Sequence, residues 1–483
     1  MALLRVTLLV LVVLAAGLAH AGEVELVSTS RTVHEGLFNG ESVRYTALLE
    51  ERRYSVEGAL AGQLVTVSYV REDVADPASR PVIFLFNGGP GASTTPLHFS
   101  AFGPKRRTGT DNDAVMYDNR HSILDAADLV FIDPVGTGYS RLADGAEQGL
   151  VWSRTGDAVS VAAFIRDWLT RHGREASPRY LLGQSYGTAR AAEIHRVDPE
   201  LEFDGVMLFA LVPGPRPGPL GPMTALPTMA ATAWYHGRAG QHHDSVEAVF
   251  EEAVEFARTD YGQALIRGAS LPVEERRAMA ERVAAFTGLS ADLVEENNLR
   301  LDNRTFMLNL LADEGLRTGQ LDSRATRSLD APPQRPPHDD PGLGYAPSDP
   351  DLPEDLPGLL ERGGHDSIVE AYFRDVLGYQ GDEIYAGLNL DVNSAWDHEG
   401  GGNAIALLAE AMERNARLRV FWVAGYYDLT TSVYAGRYTL DQGDIPADRL
   451  TAAYFPSGHS VYVETVNLER LSHAVRGFLG GRE

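Results

Sequence analysis

Short, mainly apolar runs recur along the chain, and they predict strands that are covered on both faces. These runs are residues 81–86, 129–132, 179–182 and 206–211, and two further strands are predicted late in the chain, at 418–424 and 450–455. Unbroken apolarity, without polar alternation, is typical of a mostly parallel sheet. Residues 44–49 and 63–70 alternate or run apolar ahead of these segments, which predicts an opening antiparallel pair.

Helical periodicity lies between several of these runs. Between residues 157 and 171, apolar side chains recur at helical spacing: Val161, Phe164, Ile165, Trp168 and Leu169. Residues 404–415 are also predicted as a helix, directly before the run at 418–424. Because strands and helices alternate in this way, the chain is predicted to have an α/β architecture.

The texture of the sequence changes after residue 212, and this change predicts the domain organisation. Residues 213–227 are rich in Pro and Gly, and charged helical segments are predicted at 245–258, 273–287 and 291–316. Residues 331–358 are dense in Pro and Asp, which favours a long surface loop whose simplest interpretation is a disordered tether. We therefore predict a core from residues 22–212 and 384–483, interrupted by a helical cap at 213–383.

The N-terminus has the pattern of a secretory signal peptide. Arg5 supplies the positive region, residues 7–18 are apolar, and Ala19-His20-Ala21 fits an A-x-A cleavage site. An uncleaved anchor is the alternative, but the apolar run is short for a membrane span. We expect residues 1–21 to be removed and the mature chain to be secreted or periplasmic.

Composition narrows the range of functions. The formal net charge is −25, from 67 acidic against 42 basic residues. Such a surface repels nucleic acid and anionic membranes, so we expect neither nucleic-acid binding nor stable membrane association after signal cleavage. The chain has no Cys, which excludes disulfides, a thiol nucleophile and thiolate metal sites. The oligomeric state is left open.

A GxSxG motif identifies the candidate nucleophile. The five residues 183–187 read GQSYG, and they stand between the predicted strand at 179–182 and a helix-like segment. This is the setting of a nucleophile elbow, in which a sharp turn exposes the hydroxyl of Ser185. The motif is weak evidence by itself, because a serine also needs a base and hydrogen-bond donors for a developing oxyanion.

Suitable partners follow in the order found in α/β-hydrolases. Asp428 and His459 each lie just past a predicted strand, where open α/β sheets place functional loops. In this scheme His459 takes the proton of Ser185, and Asp428 holds the imidazole tautomer. The glycines that follow the strand at 81–86 leave backbone N–H groups free of side chains, and the N–H of Tyr186 is the expected second oxyanion donor.

Four sequence blocks in order resemble the serine carboxypeptidase family. They are NGGPG at 87–91, FIDPVGTGYS at 131–140, GQSYG at 183–187 and GH at 458–459. The resemblance implies an α/β-hydrolase fold with a helical insertion, and removal of C-terminal residues from peptides at acidic pH. It also implies that Ser185, Asp428 and His459 form the triad and that Gly89 and Tyr186 are the oxyanion donors. Asn87 and Gly88 then match groups that bind the substrate's C-terminal carboxylate.

Three positions depart from the family pattern. The Glu before the nucleophile is Gln184 here, the Trp two residues before Asn87 is Leu85, and the Cys after the NGGPG block is Ala92. A protonated Glu donates a hydrogen bond to a substrate carboxylate only at low pH, whereas an amide NH₂ donates at any pH. We therefore expect Gln184 to sustain carboxylate binding towards neutral pH.

The leading interpretation is a serine carboxypeptidase that acts on peptide substrates through an acyl-serine intermediate. This chemistry requires no metal or organic cofactor. An esterase or acyltransferase on the same triad is one alternative. An inactive binding protein on a hydrolase scaffold is the other.

Overall fold

The computed structural model describes residues 22–108, 114–344, 360–361 and 367–481. Within them the strands are β1 Glu23–Phe38, β2 Glu41–Val56, β3 Ala59–Arg71, β4 Val82–Phe86, β5 Lys105–Thr108, β6 Val115–Asp118, β7 Asp128–Asp133, β8 Arg141–Leu142, β9 Arg179–Gln184, β10 Gly205–Phe209, β11 Leu316–Thr318, β12 Thr326–Ser328, β13 Leu360–Glu361, β14 Arg419–Gly425 and β15 Leu450–Phe455. The α-helices are α1 Arg154–Arg171, α2 Tyr186–Val197, α3 Leu220–Tyr235, α4 Val246–Phe256, α5 Gly262–Arg267, α6 Val273–Thr287, α7 Ala291–Glu296, α8 Asn303–Asn309, α9 Ile368–Asp375, α10 Leu390–Ala395, α11 Ala404–Arg414, α12 Val433–Asp441 and α13 Thr465–Gly480.

The chain forms two compact units. Among the described residues, one unit lies within residues 1–206, 355–419 and 475–483, and the other lies within residues 207–354 and 420–474. The division into a core and a cap at 213–383 remains a prediction. Residues 1–21, which carry the expected signal peptide, lie outside the described residues, and so do residues 345–358 of the predicted loop. No helix in the described part is long and apolar enough to cross a membrane.

The first unit is built on strands in the order β1-β2-β3-β7-β4-β9. The predicted opening pair is confirmed, because β2 and β3 are antiparallel with Thr46 opposite Val70. Strand β4 runs parallel to β7 and to β9, and every residue of β4 and β7 is buried. The unbroken apolar runs at β4 and β7 therefore form buried parallel strands, as their pattern predicts, whereas β15 is largely exposed or half-buried. Helix α1, with its N-cap Ser153, packs against α2.

The second unit contains the end of β10 together with β14 and β15. Strands β14 and β15 are parallel neighbours, with Gly425 opposite Phe455. Because both strands point the same way, the loops that follow them leave the sheet at the same edge. Helices α3 to α8 precede these strands in the same unit, and α3 packs against α4 and α6.

Two predictions for the second unit are wrong. Residues 291–316 do not form one helix, because α7 ends where Asn298 and Leu299 take positive φ of 51° and 64°. A new helix, α8, then begins at the N-cap Asp302, whose carboxylate accepts from Thr305 N. The tether interpretation also fails for residues 331–344, because the Asp340 carboxylate accepts hydrogen bonds from the backbone N–H groups of residues 320 and 321.

Candidate active site

Ser185 occupies a strained turn between β9 and α2. Its φ of 58° and ψ of −127° lie in a region that residues with a side chain rarely adopt, so the surrounding backbone must hold it there. A Cβ at Gly183 would lie 2.1 Å from the Gly187 carbonyl oxygen, and one at Gly187 would lie 2.9 Å from that of Phe86. The two glycines of the motif are therefore needed for the strand and helix to approach. Ser185 is partly exposed, whereas its neighbours are buried.

The loop that follows β4 lies directly against this turn. A Cβ on Gly88 would lie 2.4 Å from the backbone nitrogen of Tyr186, so no side chain fits between these two backbones. Gly89 has a φ of 99°, which also favours glycine. The structure thus brings Gly88, Gly89 and Tyr186 together beside Ser185, and the oxyanion roles of Gly89 and Tyr186 remain predictions.

Asn87 and Gln184 form a buried amide pair in the same unit. Asn87 Nδ2 donates to Gln184 Oε1 over 3.0 Å, and the Oδ1 atom of Asn87 accepts from Leu97 N at 3.4 Å. The two residues are 5% and 2% exposed. Because the oxygen of Gln184 faces Asn87, the NH₂ group is the end of Gln184 that donates elsewhere.

An ion pair beneath the loop was not found from the sequence. Arg190 Nε, on α2, donates to Asp157 Oδ2 on α1 over 2.6 Å, and both side chains are almost fully buried. Another nitrogen of the same guanidinium donates to the Asn87 carbonyl oxygen. The guanidinium also lies over the rings of Phe86 and Tyr186, at 5.3 and 5.5 Å from their centroids. Arg190 thus connects the loop at Asn87 to both helices.

Asp428 and His459 meet in the second unit, at the end of two parallel strands. Strand β14 ends at Gly425, whose Cβ would lie 2.1 Å from the Gly458 carbonyl oxygen, so the two loops are in close contact. His459 Nδ1 and Asp428 Oδ2 are 2.7 Å apart. The side chain of Asp428 is 1% exposed, and the imidazole of His459 is 14% exposed. The structure therefore brings together two of the residues that the sequence predicted as a triad.

Asp428 is held by more donors than the sequence indicated. Its Oδ1 atom accepts from Thr430 N at 2.8 Å and from Thr431 N at 3.0 Å. The Thr431 hydroxyl donates to Oδ2, the oxygen that also faces His459. An Asp that accepts from backbone N–H groups two and three residues later is a common local motif, and this pattern could have identified Thr430 and Thr431.

The surroundings of His459 favour its protonated form. Burial lowers the pKa of the imidazole, but the charge and hydrogen bond of the Asp428 carboxylate raise it, and the net direction is upward from the ordinary value of 6.5. Asp340 adds to the upward shift in pKa. The same Asp340 accepts from Leu321 N at 2.9 Å, while His459 N donates to the Leu321 carbonyl oxygen at 2.8 Å. No sequence signal marks Asp340, because its contacts are with residues distant along the chain.

The described residues also hold one group with the residue types of a metal site. His242, His243 and Glu252 have ligand atoms within 4.8 Å of one another. None of the predicted triad or oxyanion residues belongs to this group.

Comparison with known proteins finds similarity to serine carboxypeptidases in part of the chain. Residues 68–196 match the family model described as serine carboxypeptidase, a segment that contains Ser185 and ends before Asp428 and His459. Serine carboxypeptidase-like 9 of Arabidopsis thaliana is 29% identical over 135 residues, which are 27% of this chain and 30% of that protein. Serine carboxypeptidase S10 family member 2 of Dictyostelium discoideum is 30% identical over 154 residues, 31% of this chain and 26% of that protein. The aligned parts thus span less than a third of these relatives.

A solved structure extends the comparison to most of the chain. Kex1(delta)p, a prohormone-processing carboxypeptidase from Saccharomyces cerevisiae, superposes with a TM-score of 0.52 over 86% of each chain at 15% identity. At this identity the similarity establishes the fold alone. The predicted resemblance to the serine carboxypeptidase family and the predicted α/β-hydrolase fold are therefore both confirmed.

Proposed function

We propose that this chain is a serine carboxypeptidase that removes C-terminal residues from peptides. The hydrogen bond between His459 Nδ1 and Asp428 Oδ2 is the observation that carries the proposal. Both residues lie outside the segment that matches the family model, so their pairing supports the proposal independently of that match. A carboxylate that accepts from Nδ1 leaves Nε2 as the basic nitrogen, which is the tautomer that a general base requires.

The proposed reaction uses a covalent intermediate on Ser185. The Ser185 Oγ atom attacks the scissile carbonyl carbon while His459 accepts the hydroxyl proton, and the carbonyl oxygen becomes an oxyanion. The N–H groups of Gly89 and Tyr186 stabilise that oxyanion. The C–N bond then breaks, and His459 gives the proton to the departing amine of the C-terminal residue. Water attacks the acyl-serine ester with His459 as base, which releases the shortened peptide and restores Ser185.

The substrate's free carboxylate is proposed to bind at Asn87, Gly88 and Gln184. The buried Asn87–Gln184 hydrogen bond supports this assignment, because it fixes which end of the Gln184 amide donates. An amide donor does not ionise, so carboxylate binding persists at neutral pH. The raised pKa of His459 also favours activity at neutral rather than acidic pH. Below that pKa the imidazole is protonated and cannot act as a base.

The decisive experiment compares two substrates in the wild-type enzyme and in Ser185→Ala. A blocked dipeptide with a free C-terminal acid should be hydrolysed, and its C-terminal amide should be a much poorer substrate. Ser185→Ala should lose activity on the order of a million-fold, whereas Ser28→Ala, at an exposed position, should keep it.

Labelling with a fluorophosphonate distinguishes the alternatives. If Ser185 is labelled and the enzyme acts on acid, amide and ester substrates at equal rates, an esterase or acyltransferase is favoured. An absence of labelling at Ser185 would leave only a binding role.

We also propose that the chain is exported. The pattern of Arg5 followed by the apolar residues 7–18 and Ala19-His20-Ala21 supports this proposal. N-terminal sequencing of the protein recovered from its native host tests it. A mature chain that begins near Gly22 is expected, and an intact Met1 on protein recovered from the cytoplasmic fraction would contradict the proposal.

A further inference from the structure

Two adjacent histidines and a glutamate meet on the second unit, beside the connection between α3 and α4. His242 and His243 lie in the turn after α3, and Glu252 lies on α4, in the second turn after its N-cap Ser245. Their ligand atoms lie within 4.8 Å of one another, which is close enough for one ion to contact all three. None of the three takes part in the proposed peptidase mechanism.

The distances suit a small divalent ion. His243 Nε2 lies 2.5 Å from Glu252 Oε2, and His242 Nε2 lies 3.6 Å from the same oxygen. Ligands at about 2.0–2.1 Å from a tetrahedral ion are roughly 3.3 Å apart. The pair formed by His242 and Glu252 is already close to this spacing. The pair formed by His243 and Glu252 needs to open by less than about 1 Å, which side-chain rotation can supply.

The turn that carries the histidines is held in place by its own hydrogen bonds. His243 N donates to the Gly240 carbonyl oxygen at 3.0 Å, and Trp234 Nε1 donates to the His243 carbonyl oxygen at 3.2 Å. Gly240 has a φ of 68°, so the turn uses a glycine where its backbone requires one. The backbone of His243 is thus fixed before any ion binds.

The three side chains are all partly exposed, so an ion can reach them from solvent. The side chain of His243 is 17% exposed, whereas those of Glu252 and His242 are 49% and 70% exposed. The adjacent Glu251 carboxylate is engaged by Arg437 on α12 at 2.7 Å. Glu252 is therefore the carboxylate of this helix turn that faces the two imidazoles.

We propose that His242, His243 and Glu252 bind one Zn²⁺ or a similar divalent transition-metal ion. Two imidazole nitrogens and one carboxylate oxygen suit Zn²⁺, Ni²⁺ or Cu²⁺, whereas Mg²⁺ and Ca²⁺ prefer sites made of oxygen. Water completes the coordination on the exposed side. The bound ion joins the turn at 242–243 to α4 and stabilises this part of the unit, and it is not part of the hydrolytic mechanism.

Calorimetric titration of the untagged full chain with ZnCl₂ tests the proposal. Binding of one Zn²⁺ per chain is expected, with an increase in the melting temperature on addition of Zn²⁺. Glu252→Gln and His243→Gln should each weaken Zn²⁺ binding by about tenfold or more. Glu255→Gln, on the same helix, and His398→Ala, at an exposed histidine elsewhere, are matched controls that should leave the affinity unchanged.

The outcomes separate a metal site from a surface ion pair. Saturable Zn²⁺ binding that is weakened by about tenfold or more in both ligand variants, with no comparable binding of MgCl₂ or CaCl₂, supports the site. If Zn²⁺ does not bind saturably, or binds equally well to Glu252→Gln and the Glu255→Gln control, the proposal is overturned. Circular dichroism of each variant without metal checks that the substitution has not unfolded the chain. Because the readout is metal affinity, the result does not depend on whether the chain is a peptidase.

Discussion

His459 and Asp428 are joined by a hydrogen bond of 2.7 Å between Nδ1 and Oδ2, at the edge where two parallel strands end. The carboxylate is almost completely buried and raises the pKa of the imidazole above 6.5. A raised folded-state pKa means that the pairing stabilises the fold fully below about pH 6.5 and that this contribution is lost as pH rises through the folded-state pKa. The same relationship sets the acidic limit of activity, because His459 accepts a proton only when it is neutral.

Asp428→Asn should abolish most of the hydrolytic activity without unfolding the chain. An amide NH₂ that faces Nδ1 favours the tautomer with its proton on Nε2, which cannot accept the Ser185 proton. We expect kcat to fall by about 10⁴-fold, while fluorophosphonate labelling of Ser185 slows by a similar factor. Asp391→Asn, at an exposed position, is the control. A loss of less than about tenfold would show that Asp428 is not the acid of the triad.

Gln184→Glu should convert the enzyme to one whose peptide binding needs acidic pH. The ionised carboxylate of this variant would repel the substrate carboxylate, so KM for a free-acid peptide should rise by about tenfold or more between about pH 6 and pH 8. The wild-type KM should change by less than about twofold over this range. Gln380→Glu adds the same charge at an exposed position and should follow the wild type. Identical KM profiles for Gln184→Glu and wild type would remove Gln184 from the carboxylate site.

Asp340→Asn should move the acidic limit of activity to lower pH. The Asp340 carboxylate raises the pKa of His459, so removal of its charge should lower that pKa and shift the acid limb of kcat/KM to lower pH. An NMR titration of the His459 ring measures the pKa directly. Asp330→Asn removes the same charge from an exposed residue of the same segment. An unchanged His459 titration in Asp340→Asn would contradict the electrostatic role.

The sequence predicts those parts of the fold that depend on local pattern. Strand β4 could be predicted because its unbroken apolar run leaves no polar face for solvent, and all of its residues are buried. Asp428 and His459 could be paired because each follows a strand and parallel strands end at a common edge. In each case the information lies in a strand and in the residues that directly follow it.

Other features depend on contacts that no local pattern contains. The division of residues 291–316 into separate elements follows from positive φ at Asn298 and Leu299, and apolar Leu299 gives no turn signal. Asp340 lies in a segment whose composition resembles a tether, yet its carboxylate binds backbone groups about 20 residues earlier in the chain. In the sequence, nothing distinguishes Arg190 from other charged residues of a helix. Its partner Asp157 lies on another helix and comes next to it only because α1 packs against α2.

Arg190 is predicted to be a positioning residue for the loop that carries Asn87. Arg190→Lys keeps a positive charge beside Asp157 but lacks the fork that contacts both Asp157 and the Asn87 carbonyl oxygen. In Arg190→Lys, the ratio of kcat/KM for a free-acid substrate to kcat/KM for its amide should therefore fall by about tenfold. Arg190→Met should instead unfold readily, with a loss of about 3–5 kcal/mol in the free energy of unfolding, because it leaves Asp157 buried without a cation.

The two Arg190 variants separate positioning from stability. Arg414→Lys, at an exposed arginine, is the matched control, and urea unfolding measures stability beside the kinetics. A purely structural role for Arg190 would leave the acid-to-amide preference of Arg190→Lys at the wild-type value, whatever its stability. Because the contact with Asn87 reaches the proposed carboxylate site and the contact with Asp157 does not, a fall in preference with little loss of stability identifies the Asn87 contact as the one that shapes substrate selection.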